Sequence, residues 1–94
     1  MEKERVYFVS TYDEFWRLAQ EDAYNWIHAG YHPDELTDKD ILNEYSDWIE
    51  ENCMTEEEAY NNMNEFQNVF VHSLHELCEE TRKFMQDIID SNEN

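Results

Sequence analysis

The chain has 94 residues and a formal net charge of -18, from 24 Asp and Glu against 6 Lys and Arg. Such a charge repels phosphate, which argues against direct nucleic-acid binding, and no apolar run approaches the ~18 residues of a membrane span. A chain of this length makes one domain, residues 1–94, and buries only ~60 to 65% of its unfolded surface, which leaves little room for an enclosed active site.

Hydrophobic residues make up 40% of the sequence, and 3 Trp, 6 Tyr and 5 Phe supply large areas to bury, so the composition is that of a folded chain and not of a disordered acidic tail. Glycine and proline occur once each, as Gly30 and Pro33, too few for the turns of an all-β protein. The expected fold is therefore all-α: a small three-helix domain, or four-helix if the last segment splits, with a short extended N-terminal segment. Met1 to Arg5 lead into only four apolar residues, too few for a signal peptide, and a cytoplasmic location is expected. On that basis Cys53 and Cys78 are read as buried free thiols without a disulfide.

Val6 to Val9 is a β-favouring run with no evident partner, and is read as an irregular segment against the helices in preference to a strand that pairs with a second copy. Thr11 and Glu14 have capping-box spacing, Phe15, Leu18, Ala19, Ala23, Trp26 and Ile27 fall on one helical face, and Gly30 suits a left-handed terminus, so a helix is predicted over 12–29. Pro33 follows in the connection and suits the opening of a short helical turn. Thr37 and Asp40 repeat the cap, and the stripe Ile41, Leu42, Tyr45, Trp48 and Ile49 predicts a second helix that ends near Asn52. Thr55 and Glu58 cap a third, whose stripe runs from Ala59 to Ile88. The asparagines at 61, 62, 64 and 68 and the run Val69-Phe70-Val71 mark a kink or loop between 61 and 71 as the main alternative to one long helix.

From Asp40 to Thr81 the chain carries 12 carboxylates and no Lys or Arg. Most of the acids lie in 40–58. On an unbroken second helix Asp40, Glu44, Asp47 and Glu51 would form one line with ~5 to 6 Å between successive side chains. Solvation alone explains most acidic surfaces. Here the omission of every base forgoes the easy relief of i, i+4 pairs, which suggests that the field itself is used.

Catalysis finds little support: there is no Gly-x-Ser-x-Gly elbow and no glycine-rich phosphate loop, so a non-enzymatic protein is expected. His72, His75 and Cys78 recur every three residues near Glu76 and Glu79. The Cys lies well round a helix from the first His, and a His pair that flanks a core Cys accounts for them without a metal. His28 and His32 are read the same way, and no cofactor is expected.

Small size, three capped helices, high aromatic content and a base-free acidic stretch resemble the phage-encoded DNA mimics of the anti-CRISPR and anti-restriction type. The resemblance implies an inhibitor that occupies the basic surface of a nucleic-acid-binding protein, a nuclease or defence complex, in the host cytoplasm, as a monomer or homodimer. Helix geometry places its contacts at Asp40, Glu44, Asp47, Glu50, Glu51, Glu56, Glu57 and Glu58, with an exposed tyrosine, Tyr31 or Tyr45, as anchor. The alternative is an acidic helical adaptor or regulatory subunit that binds a protein partner through exposed aromatics.

Overall fold

The β-favouring run near the N-terminus finds its partner late in the chain. In the computed structural model, which describes residues 4–92, β1 (Tyr7–Ser10) pairs antiparallel with β2 (Phe70–Ser73), with Phe8 opposite His72. On its other edge Tyr7 exchanges two backbone hydrogen bonds with Met54, at 3.1 and 2.8 Å. Between the strands run α1 (Tyr12–His28), a 3-10 turn (Pro33–Glu35), α2 (Asp38–Asn43), α3 (Ser46–Asn52) and α4 (Glu56–Glu65), and α5 (Leu74–Asn92) follows β2. The described residues are thus mainly helical, with five α-helices and a two-stranded sheet, which corrects the expectation of an all-α three-helix or four-helix domain. The irregular N-terminal segment is likewise corrected to a strand.

Local chemistry sets the helix starts. Thr11, Thr37 and Thr55 each accept the backbone N–H of the third residue onward, and the last two are complete capping boxes closed by Asp40 and Glu58. Each such cap is worth about 1 kcal/mol. The end of α1 is a Schellman motif: Tyr31 N–H donates to the Trp26 carbonyl and Gly30 N–H to that of Ile27, at 3.1 and 3.0 Å. Gly30 takes φ +91, the left-handed backbone that glycine adopts without strain. The accompanying side-chain contact is present too, with the Tyr31 and Trp26 rings edge to face at 5.0 Å.

The second predicted helix is divided. Glu44 and Tyr45 hydrogen-bond back three residues instead of four, and Tyr45 leaves the helical region at φ -108, ψ 12 before α3 begins. Its hydroxyl faces the Asp22 carboxylate on α1 and its ring packs on the core, so tertiary contacts accompany the break. The third predicted helix also divides, within the 61–71 window. Asn68 adopts φ +63, which asparagine tolerates better than most residues, and the β-branched patch continues as β2.

The α1–α5 contact is the spine, with a core cluster at each end. One gathers Phe8, Phe15, Ala19, Cys53, Leu74 and Leu77; the other Ala23, Leu36, Ile41, Cys78 and Met85. The body is flat, 45 × 30 × 17 Å, and its radius of gyration of 14.3 Å exceeds the about 12 Å of a typical compact chain of this length. No helix among the described residues is long and apolar enough to cross a membrane.

Candidate functional site

The acids singled out from sequence are all solvent-exposed: Asp40, Glu44, Asp47, Glu50, Glu51, Glu56, Glu57 and Glu58. They spread over α2, the turn after it, α3 and the first turn of α4, so the single helical line expected for Asp40, Glu44, Asp47 and Glu51 is corrected by the break at Glu44–Tyr45. Some of them are engaged at home. Asp40 accepts the Thr37 N–H at 3.1 Å, and this bond holds its carboxyl below the usual range. Glu58 accepts the Thr55 hydroxyl at 3.0 Å.

Bases are spent elsewhere. Arg82 pairs with Asp38 at 2.6 Å, and His75 bridges Asp38 and Glu79 at 2.7 and 2.9 Å, which ties the start of α2 to α5. Among the described residues no Lys, Arg or His forms an ion pair with Asp40, Glu44, Asp47, Glu50, Glu51, Glu56 or Glu58. The carboxylates of α3, Asp47, Glu50 and Glu51, are therefore not paired with a base among the described residues.

Beside this face lies a recess of about 360 Å³ lined by Asp22, Asn25, Trp26, Ala29, Tyr31, Glu44 and Tyr45. Sequence reasoning had named Tyr31, Glu44 and Tyr45, and the fold brings them together. It had missed Asp22 and Trp26, although an acid at helical spacing within the stripe Phe15–Leu18–Ala19–Ala23–Trp26 was a readable signal of a buried carboxylate. Asp22 is only 6% exposed and accepts from the Trp26 indole N–H at 3.1 Å, with the Tyr45 hydroxyl facing it, while the Thr81 hydroxyl donates to the Leu77 carbonyl at 2.9 Å. Burial raises its pKa despite these donors. Tyr31 is exposed, as an anchor requires; Tyr45 is half-buried and committed to Asp22, which corrects its reading as an exposed anchor.

The other candidates resolve differently. His72 lies on β2 and not on the last helix, buried against the Phe15 ring at 4.3 Å and near the Ser10 carbonyl at 3.4 Å; desolvation lowers its pKa, which favours a neutral ring. Cys53 and Cys78 are free buried thiols, pushed up by desolvation to about 11 and about 12, which makes them poor nucleophiles. No group of three or more His, Cys, Asp or Glu among the described residues is arranged to hold a metal ion. Tyr12 stacks on Phe70 at 4.4 Å and contacts Trp16 at 5.8 Å, a second exposed aromatic patch.

No protein-family model matches this chain, and no curated protein or solved structure matches it.

Proposed function

We propose that this protein is a non-enzymatic inhibitor of the anti-CRISPR or anti-restriction type, which presents nucleic-acid-like charge to the basic DNA- or RNA-binding surface of a host protein and blocks access to it. The observation that carries the proposal is the set of exposed carboxylates Asp40, Glu44, Asp47, Glu50, Glu51, Glu56 and Glu58, none of them ion-paired with a base among the described residues, on a net charge of -18 and on helices whose caps belong to the same set. Duplex DNA presents one charge per ~1.7 Å of axis, and proteins that bind it draw much of their affinity from neutralising that charge. A folded acidic surface competes for the same cations and has little ordering entropy left to lose on docking. Steering by the field would make association fast at low salt.

Asp47 and Glu50 test the proposal most cleanly, because both are exposed on α3 and neither lines the recess beside Tyr31 and Tyr45. Reversal of both to lysine is expected to weaken inhibition of the target at least about tenfold, and binding of the native protein is expected to fall steeply with ionic strength. Unchanged inhibition by the double variant would place the contact surface elsewhere.

The exposed Tyr12–Trp16–Phe70 patch favours a second reading, an adaptor that binds a protein partner through aromatics. That interface would tolerate salt and ignore competing DNA, which separates the two readings.

A further inference from the structure

The recess at the end of α1 combines features that neither the acidic face nor the core requires. Its deepest polar group, Asp22, is a nearly fully buried carboxylate, yet among the described residues no Lys, Arg or His stands within ion-pair distance of it. A carboxylate has about four acceptor sites, and the Trp26 indole together with the facing Tyr45 hydroxyl fills at most two. Trp26 and Tyr31 meet with their ring planes at 89°, two aromatic walls of a corner, and the Schellman turn at Gly30 holds them in that relation. Tyr45 lines the same recess, and the exposed carboxylate of Glu44 adds a second negative group. Aromatic faces attract cations, and a carboxylate set among them suits one that is planar, weakly hydrated and able to donate several hydrogen bonds. The volume of about 360 Å³ lies at the small end of ligand cavities, which fits one side chain better than a whole cofactor.

We infer that the corner formed by Trp26, Tyr31 and Tyr45 over Asp22 is a subsite for the guanidinium of an arginine side chain on the basic partner. The inference rests on the proposed inhibitor function and deepens it: the acidic face draws in a cationic surface, and the corner takes one of its arginines. Charge complementarity selects the occupant, since a protein of net charge -18 attracts basic surfaces, and arginine stacks on aromatic rings where lysine offers a compact, strongly hydrated charge.

The test is a two-dimensional NMR titration of the full chain, which follows the Trp26 indole N–H, with N-acetyl-arginine methylamide as probe. The lysine analogue and the neutral citrulline analogue serve as comparisons. The expected result is a saturable shift of the Trp26 resonance by the arginine probe, with the citrulline analogue at least about tenfold weaker. Asp22→Asn, which keeps the size of the side chain, and Tyr31→Ala, on the surface, should each weaken arginine binding by about the same factor. No saturable shift, equal binding of citrulline, or undiminished binding by both variants would overturn the subsite. Failure here is distinct from failure of the inhibitor function: if Asp47→Lys/Glu50→Lys abolishes target binding while Asp22→Asn and Tyr31→Ala leave it intact, the acidic face stands and the subsite falls. Arginine binding in the corner with no competition between DNA and the target complex would mean the reverse.

Discussion

Gly30→Ala isolates the turn on which both α1 and the aromatic corner depend. The glycine sits at φ +91, and a Cβ built there meets nothing within 4 Å, so the substitution introduces backbone strain without a clash. A left-handed residue other than glycine costs roughly 1–2 kcal/mol, and the stiffer unfolded chain returns about 0.4–1 kcal/mol of that. The net loss is then about 1 kcal/mol, equivalent to a fall in Tm of about 4–8 °C for a domain of this size. Gly30→Asn should lose less, because asparagine enters the left-handed region more readily. Urea denaturation with an unchanged m-value, supported by thermal melts of the three proteins, measures both losses. An alanine variant as stable as the native chain, or an asparagine variant less stable than alanine, would refute the assignment of this turn.

Three further outcomes follow from the packing and titration of the interior. Leu77→Ala empties a fully buried position on α5 that belongs to the first core cluster, and should cost about 2–5 kcal/mol in chemical denaturation; a loss below about 1 kcal/mol would contradict that core. Asp22 has a folded pKa raised above its ordinary 3.8, so its contribution is full below that value and is lost as pH rises through the folded one. Asp22→Asn should therefore gain on the native protein in stability between about pH 3 and pH 7, and a constant or reversed difference would show that the carboxylate is not desolvated. His72 runs the other way: its folded pKa is depressed below 6.5, so its contribution is present above 6.5 and lost as pH falls through the folded value. Native protein should lose stability relative to His72→Phe on acidification from about pH 7 to pH 5, as followed by circular dichroism, and parallel curves would exclude a buried neutral ring.

Features set by neighbours in sequence were legible from sequence alone. Thr11, Thr37 and Thr55 cap the helices they were expected to cap, and Gly30 ends α1 in the left-handed turn foreseen for it, because each depends on a few adjacent residues. Features set by distant contacts were not. Nothing local at Glu44–Tyr45, where there is neither Gly nor Pro, announces the break between α2 and α3; the contacts found there, Tyr45 against Asp22 and the core, come from distant parts of the chain. The Val6–Val9 run was recognised as strand-like, but its partner became available only because the chain reverses at Asn68. In the candidate site the exposure of the 40–58 acids was readable from their charge and their place opposite the apolar stripe, and that of Tyr31 from its place in the connection after α1. The recess that joins Tyr31 to Tyr45 and Glu44 over Asp22 required the tertiary fold.

Mimicry of nucleic-acid charge by 40–58 is tested most directly by capture from a bacterial lysate on the immobilised native chain, with duplex DNA as competitor and the Asp47→Lys/Glu50→Lys variant beside it. Nucleic-acid-binding proteins are expected to be retained at about 0.1 M salt, to be released by duplex DNA, and to be missing from the double variant. Retention that survives both DNA and the charge reversal would contradict it.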